Sequence, residues 1–234
     1  MSKLAELRAD VREMGGVGWS AYATDRLLDR LSAGRARLWA FRFYAQPIPD
    51  RPLLAPSRST RLRIGVVRPG EIDSRRFERP AGAVEERFAA GSTCIAAVDG
   101  EELAGFMWLH FGRLRERLLA CDFEPLPSGR TCWDYDFEVF PRFRLGRTFA
   151  RLWDETYQLL RERGVEASVS WISFSNRASQ RAHERMGAQP IGWLAVLELF
   201  GYKLAAQSNR PYVRLAAPGR RLHVRVDARL QPDG

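Results

Sequence analysis

The sequence predicts an α/β domain in which a mixed β-sheet is flanked by helices. Between residues 61 and 200, segments that alternate apolar and polar residues follow one another with segments of helical period. An Asp-Gly pair at 99–100 separates two strand-like segments, which is typical of a hairpin. With 234 residues, 45% of them hydrophobic, the chain can bury one core and leave roughly 60 residues as an extension.

Residues 1 to about 44 are predicted to form a helical extension, with Thr24 and Asp25 as candidate caps. The pattern consists of apolar residues at helical spacing: Leu27, Leu28, Leu31, Leu38 and Phe41. The following stretch, 46–60, holds four prolines and no periodic pattern, so it is a candidate linker. We therefore expect an extension with linker at 1–60 and a main domain at 61–234.

The main domain is expected to alternate strands and helices from its first residues onward. Its predicted strands are 61–68, 93–98, 103–111, 132–140, 165–174, 191–200, 212–215 and 222–226. Its predicted helices are 80–90, 148–164 and 176–186, which end at Gly91, Gly164 and Gly187.

The net charge of +9 and the pI near 10.2 raise the question of nucleic-acid binding. Arginines are interleaved with acidic residues along the whole chain, and Lys3 and Lys203 are the only lysines. This distribution, without a nucleic-acid-binding motif, argues against nucleic acid as a partner. A basic surface would equally suit an anionic cofactor or an acidic carrier protein.

The three cysteines and the apolar segments limit the class of protein further. The cysteines are odd in number and lack the spacing of a zinc site or a disulfide framework, so we expect reduced thiols and no metal. No apolar run reaches the roughly 20 residues that span a bilayer, and the N-terminus lacks the features of a secretory signal. The sequence therefore favours a cytoplasmic protein without a transmembrane segment.

The segment from Phe137 to Thr148 is a candidate anion-binding turn. A strand that ends near Pro141, a basic loop that contains Gly146 and a long helix would present free backbone N–H groups to a pyrophosphate. Three arginines in this loop would add donors for phosphate oxygens: Arg142, Arg144 and Arg147. The alternative is an ordinary turn with solvated arginines.

The segment from Ser175 to Ala188 is the second candidate. Asn176 can cap a helix, and His183 follows it by seven residues, which is two turns along the same face. We expect the buried stripe of this helix to consist of three residues: Ala178, Ala182 and Met186. The alternative is a capped amphipathic helix whose histidine lies on the surface.

Together these two segments resemble the GNAT acetyltransferase superfamily, over roughly residues 61–200. Val139 and Pro141 resemble the family's Val-x-Pro, and 143–148 resembles its Arg/Gln-x-x-Gly-x-Gly/Ala loop, although Phe143 and Thr148 depart from that pattern. The family's Asn-x-x-(Ala/Ser)-x-x-x-Tyr-x-x-x-Gly spacing is matched by four residues: Asn176, Ser179, His183 and Gly187.

The resemblance implies a largely antiparallel central sheet and the transfer of an acyl group from acetyl-CoA, or another acyl-CoA, to a small-molecule or protein amine. His183 stands where the family's Tyr commonly protonates the departing thiolate, a role that an imidazole can also perform. The implied cofactor-binding residues are Val139, Pro141, Arg142, Phe143, Arg144, Leu145, Gly146, Arg147, Thr148, Asn176 and Ser179.

A direct attack by an amine also needs a base, because an ammonium ion cannot attack. Asp134, Asp136 and Glu138 alternate along one strand, so we expect them to share a face of the sheet. Glu138 is the first candidate for the base because it lies nearest the loop, and Asp136 is the second. The alternative is that this row is the solvent face of an amphipathic strand.

Two further functions stay open from the sequence. The same fold could load a longer acyl chain, from acyl-CoA or from an acidic acyl carrier protein that docks on the basic surface. A chain with this loop could also be a non-catalytic acyl-CoA sensor. Turnover of the thioester separates a sensor from an enzyme.

Overall fold

A computed structural model describes residues 3–54, 61–144 and 147–229. The chain divides into two compact units. The first unit comprises Met1–Pro47, Arg113–Ser128 and Val169–Gly234, and the second comprises Ile48–Gly112 and Gly129–Ser168.

The described ranges contain four α-helices and twelve strands. The helices are α1 (Lys3–Leu31), α2 (Ala83–Ala89), α3 (Thr148–Glu162) and α4 (Arg177–Arg185). The first six strands are β1 (Ala36–Pro47), β2 (Leu62–Val67), β3 (Thr93–Asp99), β4 (Glu102–Phe111), β5 (Leu114–Glu116) and β6 (Cys121–Leu126). The others are β7 (Thr131–Val139), β8 (Ala167–Ser173), β9 (Gln189–Leu199), β10 (Tyr202–Gln207), β11 (Val213–Ala216) and β12 (Leu222–Asp227). Short 3₁₀-helices cover Ser74–Phe77 and Pro141–Phe143.

The second unit is an antiparallel sheet in the order β2, β3, β4, β7. The predicted hairpin is confirmed, because Asp99 pairs with Glu102 and Gly100 has a φ of 61°. On one face Phe137 of β7 packs edge-on against Phe149 of α3, with ring centroids 5.1 Å apart. The other face carries a separate aromatic cluster of buried and partly buried rings: Phe77, Phe88, Phe106 and Trp108.

The first unit contains a sheet in the order β11, β10, β9, β1, β8, and β9 pairs antiparallel with both β1 and β10. A small sheet of β5, β6 and β12 accompanies it, with β6 and β12 parallel. Phe123 of β6 stacks on Trp171 of β8 at 5.1 Å and contacts Phe43 of β1 edge-on. The predicted α/β class, the largely antiparallel pairing, the flanking helices and the N-terminal helix are therefore confirmed, whereas β5, β6 and β10 were not predicted.

The prediction of helix from 32 to 44 is wrong. Helix α1 ends at Leu31, Gly34 follows with a φ of 80°, and β1 contains both Leu38 and Phe41. The aromatic residues of this segment recur at a period of two: Trp39, Phe41 and Phe43. Aromatic side chains favour strands, so a two-residue period rather than the helical one governs this stretch.

The predicted caps Thr24 and Asp25 are also wrong, because both lie inside α1. The Asp25 carboxylate instead accepts hydrogen bonds from the backbone N–H of Leu38, at 2.8 Å, and from Nε of Arg37, at 2.9 Å. This carboxylate therefore ties the helix to the beginning of β1.

The buried stripe of α4 differs from the predicted one. Ala178 is exposed, whereas Gln180 and His183 are buried. Gln180 tolerates burial because its Nε2 donates to the carbonyl oxygen of Ser173 at 2.8 Å. Polar side chains that find backbone acceptors thus turn inward, which a pattern of apolar residues alone does not predict.

Candidate active site

The turn between β7 and α3 holds most of the predicted cofactor-binding residues. Val139 ends β7, and Pro141 begins the 3₁₀-helix, in which the Phe143 N–H donates to the Phe140 carbonyl oxygen at 2.8 Å. Thr148 is the first residue of α3 and is buried. The predicted residues Leu145 and Gly146 lie outside the described residues.

The N-terminus of α3 is not capped by a side chain. Arg147 occupies the cap position without making a side-chain capping bond, and the first turn contains no acidic residue. Backbone N–H groups at the start of a helix, together with the positive end of its dipole, favour a bound anion. The donor set at this end of α3 therefore fits a pyrophosphate.

The three arginines of the turn have different partners. Nη1 of Arg142 lies 2.6 Å from Oε2 of Glu102, and Nε of Arg144 donates to the Val139 carbonyl oxygen at 2.9 Å. Arg147 is exposed and, within the described ranges, makes no ion pair. A cavity of about 510 Å³ lies beside the turn and is lined by Leu103 and Phe140 among others. Of the three, Arg147 has the guanidinium most available to a phosphate.

Strand β7 contains a β-bulge. Tyr135 pairs with Trp108 and Glu138 pairs with Phe106, so Asp136 and Phe137 together oppose one residue of β4. Asp136 has a φ of 46°, a left-handed conformation that residues other than glycine adopt at a cost. An extra residue in one strand reverses the alternation of side chains beyond it.

The bulge separates the three carboxylates that were expected to share a face. Asp134 is buried, and its charge adds to the effect of burial in raising the pKa of Tyr157 on α3. Asp136 and Glu138 both contact Arg79 instead. The prediction of a single row is therefore wrong for Asp134, because the bulge lies between it and the other two.

Asp136 and Glu138 belong to an ion-pair network with two arginines. Arg79 donates from Nε to both oxygens of Asp136 at 2.9 Å, and its Nη2 lies 2.7 Å from Oε2 of Glu138. Arg87 donates to Asp136 as well. The hydrogen bonds from Arg79 to Asp136, followed by the interactions with Glu138, raise the pKa of Arg79. All four side chains are about a fifth to a quarter exposed.

The network distinguishes the two candidate bases. Asp136 accepts from both Arg79 and Arg87, so its lone pairs are largely used. Glu138 has one close contact, to Nη2 of Arg79, while Nη2 of Arg144 lies 4.0 Å away. Glu138 therefore needs to lose fewer interactions to accept a proton from an amine.

Sequence reasoning missed two parts of this region. The first is the pair Arg79 and Arg87, whose positions before and within α2 carry no motif. The second is a buried chain in which the Tyr135 hydroxyl donates to Oγ of Ser92 at 2.8 Å, and Ser92 lies 3.0 Å from Nδ1 of His110.

The second predicted motif lies on helix α4 and at its N-terminal cap. Oδ1 of Asn176 accepts from the Ser179 N–H at 3.1 Å, which confirms the predicted cap. His183 is buried, so the alternative of a surface histidine is wrong. Its Nδ1 lies 2.8 Å from the Ser179 carbonyl oxygen, and its ring centroid is 6.2 Å from that of Tyr44. Because a carbonyl only accepts, Nδ1 carries a proton, and Nε2 of the neutral ring is then an acceptor.

Among the His, Cys, Asp and Glu residues of the described ranges, no group of three or more is arranged to hold a metal ion. None of the helices in these ranges combines the length and apolarity needed to cross a membrane.

The model of the Acetyltransferase (GNAT) family matches residues 67–188, which is more than half of the chain and runs from β2 to the end of α4. The chain belongs to the GNAT acetyltransferase family. A search of curated protein sequences gave no match. Membership of this family makes acyl transfer the general chemistry of the fold.

Several solved structures are similar to the chain at low identity. A protein from Novosphingobium aromaticivorans assigned to the GNAT family is 16% identical, with 69% of this chain and 65% of that one covered, at a TM-score of 0.47. A tandem GNAT protein from the clavulanic acid biosynthesis pathway is 15% identical, with coverages of 68% and 54% and a TM-score of 0.44. A GCN5-related N-acetyltransferase from Sphaerobacter thermophilus is 16% identical, with coverages of 84% and 57% and a TM-score of 0.41. The alignments thus cover less than two thirds of the length of each of these proteins.

Proposed function

We propose that the protein transfers an acetyl group, or another short acyl group, from acyl-CoA to an amine acceptor by direct attack. The observation that carries the proposal is the uncapped N-terminus of α3, with Arg147 unpaired in the described ranges, inside the segment that matches the family. This end of the helix supplies N–H donors and a cation where the family's pyrophosphate would bind.

Bound acyl-CoA would supply the activated thioester that the amine attacks. The residues proposed to hold it are those implied by the resemblance, which are Val139, the residues from Pro141 to Thr148, Asn176 and Ser179. Arg147 and the first turn of α3 would bind the pyrophosphate, while Arg144 keeps the Val139 carbonyl oxygen occupied. Asn176 and Ser179 hold the beginning of α4 in place through their own capping bond.

We propose Glu138 as the group that takes the proton from the acceptor ammonium. In the structure its carboxylate is paired with Arg79, so an incoming ammonium would compete with a guanidinium for the same oxygen. Arg79 keeps its bonds to Asp136 when that contact is lost, which leaves its charge compensated. Asp136 thereby serves as the anchor of Arg79.

The acceptor is proposed to be a small-molecule or protein amine, and the protein is expected to act in the cytoplasm. A longer acyl chain, loaded from acyl-CoA or from an acidic carrier protein, and a non-catalytic acyl-CoA sensor are the alternatives. Nothing in the contacts of the described residues favours either of them over acetyl transfer.

Two measurements on the purified protein test the proposal. Acetyl-CoA should raise the melting temperature with ligand concentration, and thiol release in the presence of a panel of amines should exceed spontaneous hydrolysis. Arg147→Glu should weaken the thermal shift because it places a negative charge at the uncapped helix end, whereas Arg12→Glu on α1 should not. Binding without thiol release would favour the sensor, and no binding would refute the cofactor assignment.

A further inference from the structure

The sheet of the first unit has an uncovered apolar face at its β11 edge. Tyr202 pairs with Leu199, and Leu204 pairs with Leu215 across β10 and β11. Because directly paired residues point to the same side of a sheet, these four side chains share one face. Trp193 lies on that face as well, since it is separated from Leu199 by an even number of residues along β9.

We call this surface the β9–β11 face and include in it the two turn residues that flank it. Its large exposed side chains are Trp193, Leu199, Phe200, Tyr202, Leu204, Tyr212, Val213 and Leu215. Leu215 is 79% exposed and Tyr202 is 62% exposed. On the opposite side of β10, Lys203, Ala205 and Gln207 are buried. The sheet is thus covered on one side and open on the other.

The size of the β9–β11 face decides what can cover it. The surface area of an aromatic side chain is roughly 150–250 Å², and that of a leucine or valine roughly 60–120 Å². With their exposed fractions, the eight side chains together expose roughly 500–800 Å² to solvent. Apolar patches on monomers are typically about 300–600 Å² at most. One partner of a standard protein interface contributes about 800 Å². The face, with a polar rim, therefore has the area of one half of a stable dimer interface.

We propose that a second copy of this chain covers the β9–β11 face across a two-fold axis. The chain carries a net charge of +9, so two copies repel each other over most of their surfaces. None of the eight side chains is charged, and Lys203 between them points to the buried side, where it lies 3.7 Å from Glu198. This face is where two equally charged copies can approach without burying like charges against each other.

The experiment is sedimentation velocity of the full chain over a range of concentrations, with the variant Leu204→Glu/Leu215→Glu. The wild type should sediment as a dimer that dissociates on dilution, and the variant as a monomer, because four buried carboxylates per dimer cannot be desolvated. The matched control is Val17→Glu, an exposed apolar residue of α1 that lies outside the face. It should leave the dimer intact.

Circular dichroism shows whether the variants fold. If the double variant does not fold, the milder variant Leu215→Ser takes its place, and it should raise the dissociation constant of the dimer at least tenfold. The proposal is overturned if the wild type is a monomer at about 100 µM, or if the dimer survives both substitutions in folded protein. Binding of monomeric wild type to phosphatidylserine vesicles, lost in the double variant, would assign the face to a membrane instead and would also overturn it.

Discussion

Arg79 and Asp136 form a two-pronged ion pair in which Nε and Nη2 of the guanidinium both donate to Oδ1, at 2.9 and 2.5 Å. Asp136 is at the same time the bulge residue with a left-handed backbone. Arg79 thus fixes the side chain of Asp136, whose backbone is strained, at a position two residues before Glu138 in β7. A residue that combines strain with several partners is over-determined by its surroundings.

We expect Asp136→Asn to destabilise the protein by about 2 kcal/mol, because it leaves Arg79 and Arg87 partly buried without their counter-charge. Asparagine also tolerates the left-handed backbone, so the loss reports on charge and not on strain. Urea unfolding measures it. The control is Asp73→Asn, which should destabilise the protein clearly less, because its partner Arg75 is almost fully exposed to solvent. Equal losses would show that the network contributes no more than a surface pair.

Glu138→Gln should lower turnover at neutral pH by roughly 10²- to 10⁴-fold, the range typical of a lost general base. Acetyl-CoA binding, measured by thermal shift, should change little because the substitution preserves shape. Glu166→Gln is the matched control, since Glu166 also pairs with an arginine, Arg130, in the same unit. Full activity of the Glu138 variant would return the role to Asp136, to water or to the substrate.

His183 should be required as a proton donor to the leaving thiolate, through Nε2, because Nδ1 is bound to the Ser179 carbonyl oxygen. His183→Tyr should retain much of the activity, because a phenol can also donate a proton from this position. His183→Phe should lower the rate without weakening CoA binding. Equal acyl-transfer rates in wild type and the Phe variant would exclude His183 from the mechanism.

Burial should protect the cysteines of the folded protein from thiol reagents. Burial raises the pKa of Cys94 and of Cys121 from 9.0 to about 12. At pH 8 labelling should therefore be slow when the protein is folded and fast in urea. The thiols ionise at lower pH in the unfolded chain than in the folded protein. The free energy of unfolding is therefore unaffected by these thiols below about pH 9, and it falls as the pH rises from 9 to about 12. Rapid labelling of folded protein would contradict this burial.

Apart from β5 and β6, the order of strands and helices in residues 61–200 was predictable, because two-residue and helical periods differ clearly there and Gly100 and Gly164 mark real turns. The stretch from Ala36 to Tyr44 was misassigned because its leucine and aromatic residues satisfy both periods. The bulge at Asp136 could not be predicted from alternation, since an extra residue is visible only against the partner strand. The role of Arg79 could not be predicted either, because its partner Asp136 lies far from it in the sequence.

The parallel pairing of β6 with β12 has a consequence for synthesis on the ribosome. β6 is complete at Leu126, but its parallel partner β12 begins only at Leu222, 96 residues later in the chain. β1 likewise is complete at Pro47 and pairs with β9, which begins at Gln189. The second unit has all its residues by Ser168, so it can fold while the first unit still lacks β9 and β12, the partners of β1 and β6. We expect nascent chains that stop near residue 190 to expose Phe43 and Phe123 to chaperones, and chains that extend beyond β12 to bury them.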